Sequence, residues 1–313
     1  MTGRICASAA GKVILLGEHA VVYGRPALAI PLQGLRAWAT LTPHAGPFRI
    51  QAPAVGVDAL LSDLPMEHPL ARIVYLTAEH FGFAPPQALL RIDSEIPVAS
   101  GLGSGAAVST AVVRALAAWY GVEAPPEVVS ALVYEVERIY HGTPSGIDNT
   151  VIAYGRPIYF VRGQPPRPLA VGGTFFLLIA DSGIPSPTRE VVLDVRRRWE
   201  ADRERYEGLF DRIAEQVEAA HRAIVEGNAA ELGARMNENH RLLQEMGVSA
   251  PVLDRLVDAA RRAGALGAKL SGAGRGGNVV ALVEADAAGC VAKGLKEAGA
   301  RRVWQSTVHE KNT

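Results

Sequence analysis

The chain has 313 residues, room for two ordinary domains, or one large one, around a sizeable buried core. Its 32 Lys and Arg balance 32 Asp and Glu, so no net charge draws it to nucleic acid or an anionic membrane. Apolar residues at 49% and charged ones at 20% exclude wholesale disorder, and aromatics at 6% offer no base-stacking surface.

Cys6 and Cys290 show no CxxC spacing, which excludes a disulfide scaffold or a zinc knuckle and fits a reducing compartment. Met1 to Ala10 lacks a basic start followed by a long apolar stretch, so no secretory or transit segment is expected and a cytoplasmic protein is. Short apolar runs with Gly/Pro punctuation predict strands at Arg4–Ala9, Lys12–Leu16, Leu35–Leu41 and Leu89–Ile92. Leu70, Ile73, Val74 and Leu76 recur at helical spacing and predict a helix over Pro69–Phe81. The uncharged run from Ile96 to Val113 is long enough to span a membrane, but Pro97, Gly101, Gly103, Gly105 and four serines or threonines exclude that. Helices are expected over Ser104–Tyr120 and from Pro125-Pro126-Glu127, where proline suits a first turn, and a strand over Pro157–Val161. The Pro/Gly-rich stretch Arg162–Gly173 is the expected boundary between domains at 1–165 and 166–313. Beyond it come a strand at Thr174–Ala180 and a long mixed-charge helical stretch from Thr188 to Glu226. Helices at Ala229–Glu245 and Pro251–Ala263, a strand at Gly276–Val283, a helix at Ala285–Ala298 and a strand at Arg302–Val308 follow. The sum is an α+β protein in two layers.

Three glycine-rich clusters punctuate this pattern. In the first, Gly11-Lys12-Val13 lacks the Ser or Thr that a Walker A lysine precedes; instead Lys12 opens an apolar strand that closes on Gly17-Glu18-His19. A surface lysine at a turn is the competing reading. The second, Pro97-Val98-Ala99-Ser100-Gly101-Leu102-Gly103-Ser104-Gly105-Ala106-Ala107, lies between a strand and a helix with no charge before Arg114. Glycines let the backbone approach a ligand, and the helix start offers unpaired N–H groups and a positive dipole end, a geometry suited to a di- or triphosphate. The third, Lys269 to Gly277, matches G-x-G-x-x-G in form, but a strand-like run follows it where a dinucleotide site needs a helix. Between the second and third lies Glu137 to Asn149, with Glu137 near a helix end and Asp148 after the turn Pro144-Ser145-Gly146. Two acids, a lysine and a phosphate loop are the ingredients of phosphoryl transfer. One acid would hold Mg²⁺ on phosphate oxygens and the other would orient or deprotonate the attacking hydroxyl.

These four segments, in this order, resemble the GHMP kinase family, which includes galactokinases and homoserine, mevalonate and phosphomevalonate kinases. GKVILLGEHAVVYG (residues 11–24), HGTPSGIDN (141–149) and DSGIPSPTRE (181–190) are similar to the mevalonate kinases within it. The resemblance implies a ribosomal S5-like N-terminal domain, a ferredoxin-like C-terminal domain and transfer of the ATP γ-phosphate to the C5 hydroxyl of (R)-mevalonate. By position it implies Asp148 as the catalytic acid residue, with Lys12 beside it and the hydroxyl, and Glu137 as the Mg²⁺ ligand. It further implies residues 97–107 as the ATP phosphate loop, with Glu18, His19, Ser145 and Thr188 on the substrate side and Gly272 to Gly277 bracing the loop. The family's GLGSS motif ends in a serine that assists Mg²⁺; here that position is Gly105, which leaves Ser104 as the neighbouring hydroxyl, and Arg275 interrupts a run that is often all small. A phosphomevalonate kinase, another small-alcohol kinase and a non-catalytic ligand-binding relative are the alternatives. Lys12 argues against a decarboxylase of the same fold, and the family's frequent dimers allow a homodimer.

Overall fold

The first two predicted strands are one. In the computed structural model, which describes residues 3–98, 100–141 and 144–309, β1 runs unbroken over Ile5–Leu16. Gly11, which lies between the two expected strands, stays within β1. A Cβ there would meet the Leu102 carbonyl at 2.9 Å, so glycine serves close approach. β2 (Ala27–Pro43) pairs with β1 and is far longer than the seven residues expected. Both strands contribute to two compact units. The first unit comprises Met1–Gly11, Leu35–Val98 and Leu102–Gly155, the second Lys12–Gly34, Ala99–Gly101 and Arg156–Thr313.

In the first unit, β3 (Arg49–Ala52), β4 (Val57–Leu60) and β5 (Ala88–Ser94) join the second half of β2 in the order β4-β3-β5-β2. β3 and β5 run parallel, and β2 lies antiparallel to β5 with Leu41 opposite Leu90. Four helices accompany the sheet: α1 (Pro69–Phe81), α2 (Ser104–Tyr120), α3 (Pro126–His141) and α4 (Ile147–Tyr154). α2 touches the other three helices and β5, which explains why it carries no charge before Arg114. Arg114 then spends its guanidinium on the carbonyls of Ser8 (2.9 Å) and Ala153 (2.8 Å).

In the second unit, the first half of β2 pairs antiparallel with β6 (Ile158–Phe160), and β6 with β7 (Arg167–Pro168). A separate antiparallel sheet holds β8 (Phe175–Asp181), β9 (Gly267–Ser271), β10 (Asn278–Val283) and β11 (Arg302–Val308) in the order β11-β8-β10-β9. That is the strand order of a ferredoxin-like unit. Five helices accompany this sheet among the described residues: α5 (Thr188–Ala201), α6 (Arg203–Glu226), α7 (Ala229–Glu245), α8 (Pro251–Arg262) and α9 (Ala288–Glu297). Every residue of β9 and β10 is buried; α7 and α8 pack on β9 and α8 on β10, with Leu253, Leu256, Val257 and Ala260 of α8 buried. The mixed-charge stretch expected as one helix breaks at Asp202, whose side chain caps α6 by accepting from the Arg205 N–H at 3.3 Å.

Candidate active site

In the second unit, β1 ends in a turn that only glycine can make. Gly17 has φ 102°, and a Cβ on it would lie 2.6 Å from the backbone of Pro26 and Ala27. Glu18 follows, 1% exposed, with its carboxylate paired to the Nζ of Lys269, which is itself wholly buried on β9. The second oxygen of Glu18 accepts from Asn239 Nδ2 at 3.3 Å, and Lys269 also donates to the Leu270 carbonyl at 2.6 Å. Burial pulls the Lys269 ammonium below its ordinary range, against the opposing attraction of Glu18. His19 has φ 62°, and its Nε2 bonds the Ala273 carbonyl at 2.9 Å. Burial lowers its pKa to about 4, with Arg275 and Lys269 adding to the shift and the Ala273 bond opposing it. A carbonyl only accepts, so Nε2 carries the proton and the neutral ring keeps the Nδ1 lone pair. Lys12 is 4% exposed within β1, which rules out a surface lysine at a turn.

The third glycine cluster joins β9 to β10, with no helix after it. A Cβ on Gly274 would lie 2.0 Å from the Val248 carbonyl, so that position too requires glycine. The loop is stitched to the segment before α5: Gly277 N–H donates to Ile184 O (2.8 Å), Ser186 Oγ to Gly274 O (2.7 Å) and Ser182 N–H to Gly277 O (2.9 Å). Thr188 is exposed as the first residue of α5. Asn278, the residue after the loop, donates from Nδ2 to the Ser100 carbonyl at 2.5 Å. The bond to Ser100 comes from Asn278, one position past the Gly272–Gly277 run that was expected to brace the loop.

In the first unit, Gly103 is the N-cap of α2, and Ser104, Gly105, Ala106 and Ala107 form its first turn. Ala106, Ala107 and Leu102 are buried, Pro97 and Ser104 half-buried, and Gly105 exposed. Ala99 lies outside the described residues, as do Gly142 and Thr143 of the fourth segment. Glu137 is buried on α3. Asp148 is half-buried in the first turn of α4, a short helix absent from the sequence reading. That helix is anchored by its neighbours: Asn149 Nδ2 donates to Ser130 O (3.1 Å) and Oγ (2.9 Å) on α3, and Thr150 Oγ1 to Gly146 O (2.6 Å). Ser145 Oγ accepts from the Ile147 N–H at 3.4 Å. Among the described residues no three His, Cys, Asp or Glu side chains cluster as a metal cage, and no helix is long and apolar enough to cross a membrane.

Sequence reasoning missed Asn239, His240 and Asn278. His240 Nδ1 accepts from the Leu270 N–H (3.3 Å) and its Nε2 meets Asp254 Oδ1 (3.1 Å), which also accepts from Ser249 Oγ (2.6 Å). A signal was present: Asn239 stands on the Leu232–Met236–Leu243 stripe of α7, where helical spacing calls for an apolar residue.

Residues 69–156 match the family model of the GHMP kinases N terminal domain, and residues 220–301 that of the GHMP kinases C terminal. The mevalonate kinase of Thermococcus sibiricus is 35% identical over 305 residues, covering 89% of this chain and 89% of that protein. The chain belongs to the GHMP kinases, among the mevalonate kinases. L. major mevalonate kinase, solved in complex with R-mevalonate, superposes on this GHMP kinase with TM-score 0.85 at 30% identity, over 100% of this chain and 98% of that one. Streptococcus pneumoniae phosphomevalonate kinase, with TM-score 0.82, covers 97% of this chain and 100% of its own at 17% identity, and shares the fold alone.

Proposed function

We propose that the chain transfers the γ-phosphate of ATP to the C5 hydroxyl of (R)-mevalonate, releasing 5-phosphomevalonate and ADP. The carrying observation is the likeness to mevalonate kinases along nearly the whole chain, one of them solved with R-mevalonate bound. The phosphomevalonate alternative has only the fold likeness behind it.

The residues then divide the work. The unpaired N–H groups and dipole of the first turn of α2, with the backbone of residues 97–107, cradle the ATP phosphates. Lys12 places an ammonium where negative charge grows on the transferring phosphoryl group and the attacking oxygen. Asp148 orients the C5 hydroxyl and takes its proton. His19 offers its Nδ1 lone pair to a substrate hydroxyl, while Glu18, engaged by Lys269 and Asn239, holds the turn from which His19 projects. Ser145 and Thr188 serve the polar end of mevalonate. Mg²⁺ asks for one or two carboxylates and leaves the rest of its shell to phosphate and water, so a buried Glu137 and the Ser104 hydroxyl, both hard oxygen donors, suit it. When bound, the ion neutralises charge on the phosphate oxygens.

An ADP-release assay over mevalonate, 5-phosphomevalonate, galactose, homoserine and shikimate tests the reading. Turnover of mevalonate is expected; turnover of another acceptor with none of mevalonate would overturn it.

A further inference from the structure

Arg275 is out of keeping with its surroundings. Gly272, Gly274, Gly276 and Gly277 flank it, yet Arg275 adopts φ 57°; among the described residues the only other non-glycine with positive φ is His19. An L-residue with a Cβ is disfavoured in that region, and glycine would occupy it freely. The side chain must therefore return something.

It joins three elements. Its Nη2 donates to the Asp194 carboxylate on α5 and to the Gly247 carbonyl (3.3 Å) after α7, while its backbone N–H donates to Val248 O (2.9 Å). Asp194 is shared with Arg198 (2.9 Å), whose guanidinium lies so close over Gly247 that a Cβ there would come within 2.4 Å of Nη1. The Arg275 hydrogen bond, with Arg198 and Arg197 behind it, holds the Asp194 carboxyl below the usual carboxylate range, so the link stays ionic at working pH. Nearer the start of α5, the backbone bonds from Gly277 to Ile184 and from Ser186 to Gly274 already fasten the same segment to the same loop. Loop and helix start are thus tied at two levels, and Thr188 lies between them. Many exposed ion pairs contribute nothing measurable. This one is distinguished by the strained backbone that sustains it and by the three elements it spans.

We propose that Arg275 is a positioning residue that locks the start of α5, with Thr188, onto the Gly272–Gly277 loop and thereby sets affinity for the phosphoryl acceptor. The inference rests on the mevalonate kinase reading and on Thr188 serving the acceptor.

The test is steady-state kinetics of the full chain carrying Arg275→Gly, Arg275→Lys, Asp194→Asn, the Arg275→Gly/Asp194→Asn double change, or Thr188→Ala. Arg275→Gly should raise the KM for mevalonate roughly tenfold, the scale of one lost charged hydrogen bond, with kcat and the KM for ATP nearly unchanged. Arg275→Lys should recover part of that loss. The double variant should be no worse than the poorer single one, because the two changes remove one shared interaction. If Arg275→Gly and Asp194→Asn leave the mevalonate KM alone while Thr188→Ala raises it, the clamp is refuted and the role of Thr188 stands. Should both KM values and the thermal midpoint shift together, Arg275 is merely structural and the proposal falls. Absence of mevalonate turnover by the unaltered protein defeats the functional reading first, and this inference with it.

Discussion

Of the 32 basic residues only five are lysines, and two of those five, Lys12 and Lys269, are buried in strands of the second unit. Their rarity made both visible in the sequence, but nothing there joined Lys269 to Glu18, which lies 251 positions away. Removing one partner of such a buried pair leaves the other charge uncompensated, so Lys269→Met should destabilise the protein by roughly 3–5 kcal/mol. Urea denaturation measures this, and a loss below ~1 kcal/mol would show water reaching the pair. Asp148 lies at the opposite pole: it is half-buried in the first turn of a helix pinned by Asn149 and Thr150, so its carboxylate can change while the scaffold holds. Asp148→Asn should lower kcat by about 10²–10⁴-fold with little change in the KM for ATP. Near-normal kcat would move the proton-accepting role to another carboxylate.

At the scale of elements, α1, α2, α7 and β11 carry the bounds expected of them, and α1 and α2 are each closed by a left-handed glycine, Gly82 and Gly121. The failures have local causes. Gly11 lies between two expected strands because glycine ordinarily punctuates them, and a close approach to Leu102 cannot be seen from composition. β9 escaped because its central residue is a lysine, and the break between α5 and α6 rests on a single cap, Asp202. Gly105 gains most from seeing the element: it lies inside α2 with helical backbone, so no special conformation bars serine there. Gly105→Ser should be tolerated and should lower, or leave unchanged, the Mg²⁺ concentration for half-maximal turnover. Glu137→Ala should raise that concentration sharply, since few other protein oxygens serve the ion. Activity titrated against Mg²⁺ checks both, and collapse of Gly105→Ser beside an unaffected Glu137→Ala would show the metal to be held elsewhere.

For the whole molecule, the buried imidazoles predict how stability follows pH. His19 is held at about 4 and His240 likewise, both chiefly by burial, against 6.5 for a free ring. The unfolded chain then binds more protons between those values, so the contribution of these two rings to stability is full above about pH 6.5, falls as pH drops toward 4 and levels off below. His19→Asn, which tolerates positive φ, should flatten part of that slope by an amount on the order of 3 kcal/mol. A thermal midpoint equally pH-dependent in the variant would refute the assignment. Much of the proposed site is legible as motifs, since Lys12, Glu137, Asp148 and the glycine loops stand out by residue type and order. The polar side chains that hold those motifs are not, because their partners are remote in sequence. That remoteness bears on how the protein is made. The ribosome finishes the first unit's sequence at Gly155, whereas residues 12–34 belong to a unit whose last strand ends at Val308. Glu18 leaves the exit tunnel well before its partner and stays a solvated carboxylate until Lys269, 251 positions later, is translated. The nascent chain thus holds one of its most deeply buried charges open to water while the whole stretch between Glu18 and Lys269 is being made, and can close over it only afterwards.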